Sequence, residues 1–149
     1  MFRGRYEHTI DAKGRLALPS AFKKELEKVG DEPLIVTTHI SSPCLVAYPL
    51  SEWQRFEERL AKLPQFEPSV MALRRLYVGG AMECAIDKQG RVLIPPVLRE
   101  YARLERDVYW VGGMRTLEIW AKPAWLEVVE KEREKVSPDL LSKLGELGI

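Results

Sequence analysis

The sequence is poor in the residues that metal sites, disulfide frameworks and membrane spans require. Two cysteines and two histidines occur among 149 residues. Cys44 and Cys84 fall in different halves at non-equivalent positions, and together with His39 they lack zinc-site spacing and a fourth ligand. The simplest expectation is a reduced, cytosolic chain with no metal and no other cofactor. No apolar run approaches the ~20 residues of a membrane span. The start, MFRGRYEHTID, has basic residues but no apolar h-region, so a signal peptide is not expected. Excess charge is lacking too: 23 basic residues stand against 22 acidic ones, so any basic surface must be local. There is no phosphate-cradling glycine loop, because Gly112-Gly113 falls where a hairpin turn is expected. Glu7 and Glu83 are paired carboxylates only because the sequence repeats, and no nucleophile–base set accompanies them. An enzyme acting on a small-molecule substrate is not expected.

What is present is a duplication. Sliding Gly4 to Leu26 by 76 positions lays it without a gap on Gly80 to Ala102. Gly4, Glu7, Ile10, Asp11, Gly14, Arg15 and Pro19 then meet Gly80, Glu83, Ile86, Asp87, Gly90, Arg91 and Pro95. Seven identities in 23 positions compare with roughly one or two from ordinary composition. A second echo follows at an offset of 72, where Leu45, Tyr48, Trp53, Phe56 and Glu58 are answered by Leu117, Trp120, Trp125, Val128 and Glu130. The first half therefore holds four extra residues between Leu26 and Leu45, as a loop insertion would. Two units are too few for a solenoid, which needs at least ~3. A pseudo-symmetric pair around a real core is the better reading, with 46% of the residues hydrophobic.

Each unit opens as a β-hairpin. A three-residue loop, Ala12-Lys13-Gly14, with Gly14 in the left-handed conformation sets Asp11 opposite Arg15, Ile10 opposite Leu16 and His8 opposite Leu18. Tyr6, His8, Ile10, Leu16 and Leu18 then share one face; Glu7, Thr9, Asp11, Arg15 and Ala17 share the other. A one-residue slip would mix the faces. In the second copy Met82, Cys84, Ile86, Val92 and Ile94 face inward, and Asp87 meets Arg91. Pro19 and Pro95 end the hairpins and open helices at early positions that need no N–H. Phe22, Leu26 and Val29 form the apolar stripe of the first helix, mirrored by Leu98 and Ala102, and Gly30-Asp31 ends it. A second hairpin in each unit is read from PLIVTTHI, Ser41-Ser42-Pro43 and CLVAYP, and from DVYWV, Gly112-Gly113 and TLEIWA.

Further helices follow the same logic. Ser51 with Gln54 reads as a capping box ahead of Trp53, Phe56, Leu60 and Leu63, and Pro64 breaks that helix. Another runs from Pro68 through Val70, Leu73, Leu76 and Tyr77 to Gly79-Gly80. The Trp125 helix carries the mixed-charge string EVVEKEREK. Ser137-Pro138 start a terminal helix whose Leu140, Leu141, Leu144 and Leu147 need an apolar surface, in this chain or a neighbour. Trp53, Trp120 and Trp125 fit core packing. His8, replaced by Cys84 in the repeat, reads as core rather than as a general base. Tyr77 with Arg74-Arg75, on the helix joining the units, is a candidate for an inter-subunit or backbone contact.

Taken together, MFRG, IDAKGRLALP, CLVAYPLSEW, the Gly79-Gly80 junction and IDKQGRVLIPPVLR resemble the MraZ family over essentially the whole chain. The duplicated DxxxR is present in both copies, as Asp11 to Arg15 and Asp87 to Arg91. The resemblance implies an α+β fold: two pseudo-symmetric AbrB-like swapped-hairpin units forming one β-barrel-like core with flanking helices. The units would span 1–76, with linker helices, and 77–136, followed by a C-terminal helix or tail at 137–149. It also implies a cytoplasmic, nucleoid-associated, sequence-specific DNA-binding transcriptional regulator. Such a protein would repress the division and cell-wall gene cluster that includes its own gene. Its partners would be double-stranded promoter DNA with short G-rich repeats and further copies of itself in a ring-like homo-oligomer. The alternative is an oligomeric protein-interaction, adaptor or antitoxin-like module.

Within that resemblance, Arg3, Arg5, Lys13, Arg15, Lys88 and Arg91 are the candidate DNA-binding residues, and Asp11, Gly14, Asp87 and Gly90 support the motif. A guanidinium beside an exposed turn can clamp a phosphate or pair bidentately with guanine. The plainer reading of Arg15 opposite Asp11 is a cross-strand ion pair of ~0.2–1 kcal/mol that closes the hairpin. The two readings are compatible. With Arg3, Arg5 and Lys13 around it, the first hairpin is the more basic and is expected to contribute more affinity than the second, where Lys88 and Arg91 are balanced by Glu83 and Asp87.

Overall fold

The computed structural model describes residues 1–30 and 33–149. In chain order the strands are β1 (Arg5–Thr9), β2 (Arg15–Ala17), β3 (Leu34–Thr38), β4 (Leu45–Pro49), β5 (Met82–Cys84), β6 (Arg91–Leu93), β7 (Asp107–Gly113) and β8 (Thr116–Ala121). The helices are α1 (Ser20–Val29), α2 (Leu50–Ala61), α3 (Pro68–Leu73), α4 (Pro96–Ala102), α5 (Lys122–Glu134) and α6 (Pro138–Glu146), with a π-helical turn at Arg74–Val78. Six strands form one antiparallel sheet in the order β1-β7-β8-β4-β3-β5, and β2 pairs with β6 as a separate two-stranded ribbon. Each half of the duplication contributes three strands to the sheet. Its order reads the same from both edges once β1, β7 and β8 are matched to their repeats β5, β3 and β4.

The fold is therefore mixed α+β, as expected, but the β-barrel-like core is not what forms. Among the described residues the six-stranded sheet is open, with β1 and β5 as its edges. The hairpins are corrected in the same way. Their tips follow the expected register: Ile10 bridges Leu16, Asp11 N–H donates to Arg15 O at 3.0 Å, and the second copy repeats both features at Ile86–Val92 and Asp87–Arg91. Beyond the tips the arms part. His8 pairs with Val108 rather than facing Leu18, and Leu18 N–H donates to Gly90 O at 2.9 Å. The first strand of each unit joins a strand of the other unit, β1 to β7 and β5 to β3.

The ribbon explains why this arrangement wins. Leu16 lies directly opposite Val92, its own repeat, and both are fully buried. Each such aliphatic side chain contributes roughly 1.5–3 kcal/mol by leaving water. The ribbon covers one face of the sheet together with α1 and α4, where Leu34, Val36, Leu117, Ile119 and Trp110 meet Phe22, Leu26, Leu98 and Ile94. Trp110 Nε1 donates to Ala17 O at 2.9 Å, tying the sheet to the ribbon. On the other face Ile35, Trp53 and Tyr77 form a second cluster with Tyr48 and Phe56 under α2 and the π-helical turn. There Thr37, fully buried, donates its hydroxyl to Tyr77 O at 2.6 Å.

Local expectations fare unevenly at the element ends. α1 stops at Gly30, with φ of 69° and its N–H bonded to Leu26 O, whereas Asp31 lies outside the described residues. Pro19 and Pro95 stand at the caps of α1 and α4, one residue ahead of the first helical position. α2 starts at Leu50 with Pro49 at its cap, so Ser51 sits inside the first turn instead of capping it. Val29, Leu63, Leu76 and Met82, read as inward-facing or core-stripe positions, are exposed. Ser137 does cap α6, accepting from Leu140 N–H at 3.3 Å, but Leu140, Leu141 and Leu147 stay exposed on it. Among the described residues no helix is long and apolar enough to cross a membrane.

Candidate nucleic-acid interface

Each DxxxR segment folds into the same compact device. The Asp11 carboxylate accepts from the N–H of Lys13 at 3.0 Å and of Arg15 at 2.9 Å, and from Arg15 Nε at 2.6 Å. Asp87 repeats this with Gln89 N–H, Arg91 N–H and Arg91 Nε, each at 2.9 Å. A side-chain oxygen that bonds backbone two residues on is how aspartate closes a turn. Here the spacing also brings the arginine back onto the same carboxylate. The Arg15 N–H, with the Arg15 guanidinium and the Lys13 N–H behind it, holds Asp11 below the ordinary carboxylate value. Asp87 is lowered in the same way, first by the Arg91 N–H.

Gly14 and Gly90 carry φ of 85° and 73°, the left-handed conformation that the three-residue loop demands. Gly14 O also accepts Ile94 N–H at 2.8 Å, mirrored by Gly90 O and Leu18 N–H. The motif glycines thus join the two turns to the opposite halves of the molecule.

The ribbon sets the arginines on one surface. Arg15 lies opposite Leu93 and Arg91 opposite Ala17, so all four occupy the face turned away from buried Leu16 and Val92. Diagonal positions of this kind are about 7–8 Å apart. Both arginine side chains are about one-third exposed, at 36% and 31%. Their availability differs. Among the described residues, the terminal nitrogens of Arg15 carry no hydrogen bond, whereas Arg91 Nη2 donates to Gln89 Oε1 at 2.8 Å.

Lys13 and Lys88 are exposed at the turn tips, beside Arg15 and Arg91 respectively. Arg3 and Arg5 are not brought to this surface. Arg5 lies at the far end of β1, six residues from Asp11 and so about 20 Å along an extended strand. Its guanidinium sits 5.0 Å from the ring centroids of both Tyr109 and Trp125 and 3.8 Å from Glu130. The backbone of Arg3 packs against Gly112 beside the β7–β8 turn. On the ribbon face the two units thus differ by the bond from Arg91 to Gln89 rather than by Arg3 and Arg5.

Two cations at equivalent positions escaped the sequence reading. Arg99 lies against the first turn: a Cβ on Gly14 would fall 2.7 Å from Arg99 Nε, which donates to Ile94 O at 3.0 Å. Lys23 lies against the second, its Nζ 3.7 Å from where a Cβ on Gly90 would be. The signal lies in the duplication itself, where Lys23 meets Arg99 at the 76-residue offset as basic against basic, a match of charge without identity. Tyr77 is corrected in the other direction: it is buried, with its hydroxyl 2.7 Å from that of Tyr48, and serves the core. Cys84 is buried as expected, while His8 is half-buried. Trp53 and Trp120 are buried, whereas Trp125 is half-buried against Trp120 and Tyr109. Among the described residues no group of three or more His, Cys, Asp or Glu could hold a metal ion.

Comparison with known proteins now bears on the fold and this motif together. The family described as "MraZ protein, putative antitoxin-like" matches the chain twice, over residues 1–76 and 77–140. This chain belongs to the MraZ family. A relative named "Transcriptional regulator MraZ" from Caldicellulosiruptor bescii is 43% identical over the full length of both chains. One of the same name from Marinomonas sp. (strain MWYL1) is 42% identical over 97% of this chain and 93% of its own. A third, from Caldanaerobacter subterraneus subsp. tengcongensis, is 44% identical over 85% of each.

Proposed function

We propose that this protein is a sequence-specific DNA-binding transcriptional regulator, without catalytic activity, whose reading surface is the outer face of the β2–β6 ribbon. The observation that carries the reading is the pairing of Arg15 and Arg91 on that face, each braced at Nε by a motif aspartate. Bracing one edge of a guanidinium leaves its terminal nitrogens as a preset fork, the geometry that suits guanine O6 and N7 or a phosphate. A two-stranded ribbon is also narrow enough for the major groove, which is about 12 Å wide. The names of the relatives support regulation of transcription.

The finer proposal follows the family. The two units, residues 1–76 and 77–136, are AbrB-like swapped-hairpin units, consistent with the exchange of β1 and β5 between halves. The protein acts in the cytoplasm at the nucleoid and represses the division and cell-wall cluster through short G-rich repeats. Copies assemble into a ring, the segment 137–149 contributing the exposed leucine face of α6. One small ribbon binds weakly, and several presented together to spaced repeats bind by effective concentration. The exposed leucines also favour a second reading, a protein-interaction or antitoxin-like module.

One titration separates these readings. Fluorescence-labelled duplex from the protein's own upstream region is titrated with wild type, Arg15→Ala and Arg91→Ala. Loss of one bidentate guanine contact is worth about 1–3 kcal/mol, so Arg15→Ala should bind at least about tenfold more weakly. Arg91→Ala should lose less, because Gln89 already occupies part of its guanidinium. Equal losses would remove the asymmetry, and an unchanged wild-type-like curve for both variants would leave only the interaction module.

A further inference from the structure

We infer that Lys23 and Arg99 complete the two DNA-binding heads from the opposite halves of the molecule, as contacts to backbone phosphates. This inference rests on the proposed DNA-binding surface and assigns to it two residues outside the DxxxR motif. The first head would comprise Lys13 and Arg15 of the first unit with Arg99 of the second. The second head would comprise Lys88 and Arg91 of the second unit with Lys23 of the first.

The geometry is reciprocal. Lys23 stands on α1 and Arg99 on α4, at matching positions of the duplication, and each side chain reaches the glycine of the other unit's turn. At Gly14 the reach depends on a bare Cα, since a Cβ there would collide with the Arg99 guanidinium, whereas at Gly90 Lys23 lies at ordinary contact distance from where a Cβ would be. Neither cation is neutralised by the protein. Among the described residues the Lys23 ammonium has no hydrogen bond or ion pair, and the Arg99 guanidinium uses only Nε, on the neutral carbonyl of Ile94. An ammonium on a half-buried lysine, beside an exposed turn tip and without a counter-ion, is placed to receive an external anion. A compact, strongly hydrated ammonium acts as a point charge for phosphate rather than as a reader of base edges.

Phosphate contacts position a protein without reading sequence. The expected signature is thus a loss of affinity that is equal on operator and on random duplex, with a shallower salt dependence. Binding of the full-length protein to its upstream duplex and to a random duplex of equal length is measured between 50 and 200 mM salt. The proteins compared are wild type, Lys23→Gln, Lys23→Glu and Arg99→Gln, with thermal melting of each. Each lost phosphate contact lowers the log–log salt slope by about 0.9, or about a 3.5-fold smaller change in affinity across that range. Lys23→Gln, which breaks no internal bond, should show this on both duplexes with an unchanged melting temperature, and Lys23→Glu should weaken binding further. Should Lys23→Gln and Lys23→Glu match wild type in affinity and slope, the composite head is refuted while the ribbon reading stands. Should loss be confined to the upstream duplex, Lys23 reads bases and the phosphate assignment is refuted. If wild type binds neither duplex, the ribbon reading itself falls.

Discussion

Gly14 and Gly90 occupy the same place in the duplicated motif, yet their substitution by alanine should have very different consequences. Both have positive φ, 85° and 73°, so both alanine variants carry a left-handed penalty of roughly 1–2 kcal/mol. The surroundings differ. At Gly90 the new methyl would find Lys23 Nζ at 3.7 Å, an ordinary contact with a flexible side chain. At Gly14 it would lie 2.6 Å from Ile94 O and 2.7 Å from Arg99 Nε. Arg99 can swing away, but the Ile94 carbonyl is backbone, and its side chain is fully buried. Forcing that contact apart strains the ribbon by about 1–3 kcal/mol. It also loosens the bond from Ile94 N–H to Gly14 O, worth about 0.5–1.5 kcal/mol. Gly14→Ala should therefore be less stable than Gly90→Ala by about 2–4 kcal/mol, the shared φ penalty cancelling in the comparison. At about 2–4 °C per kcal/mol for a chain of this size, the melting temperatures should differ by about 5–15 °C. Urea denaturation of both variants checks the same difference without heating. Equal losses, or a larger one at Gly90, would show that the close approach across the ribbon is not what makes the first turn demand glycine.

Other consequences are simpler to state. Leu16→Ala empties a fully buried site at the centre of the ribbon and should cost about 2–5 kcal/mol, measured by urea denaturation; a loss below about 1 kcal/mol would mean the ribbon is not part of the core. Burial, with the nearby Glu83 charge a lesser cause, pushes the Cys84 thiol up from its ordinary 9.0 to about 11, and burial drives Cys44 higher still. A raised folded value favours the neutral thiol, so this contribution to stability is complete below about pH 9 and is lost as pH rises through about 11. Replacing both cysteines by alanine should flatten the fall in stability over that window, and iodoacetamide at pH 8 should label the folded protein far more slowly than the denatured one.

Much of this architecture was legible locally. The Asp-to-Arg spacing, the left-handed glycine and the long hairpin around Ser41-Ser42-Pro43 are set by bonds within a few residues. Sequence reasoning reached them for that reason. The second long hairpin also forms, but Gly112 and Gly113 are paired in β7 and the turn falls at Met114-Arg115. The helices were legible from Phe22 with Leu26 and from Trp53 with Phe56 and Leu60, because their apolar stripes face one way. Pairing partners were not legible. Tyr6 to Thr9 satisfies the same alternation whether it lies beside its own hairpin mate or beside β7, and nothing local separates those outcomes. The positions of Arg3 and Arg5 followed from that choice, because with β1 paired to β7 they lie away from the ribbon.

The duplication nevertheless constrains the proposed DNA-binding surface more tightly than any single strand does. Had β2 stayed with β1, Arg15 and Arg91 would belong to two separate hairpins with no necessary relation between their outer faces. When β2 pairs instead with its own repeat, the pair Leu16–Val92 must sit on the pseudo-two-fold axis, since each residue faces its equivalent. The neighbours one step away on either side then point to the opposite face, and they are Arg15 with Leu93 and Ala17 with Arg91. Burying the aliphatic pair and exposing both arginines are consequently one event, and the force that hides Leu16 and Val92 from water is the same force that presents two guanidinium groups side by side. A variant in which the ribbon is weakened, such as Leu16→Ala, should then lose DNA affinity in step with its stability, although Leu16 can touch no DNA.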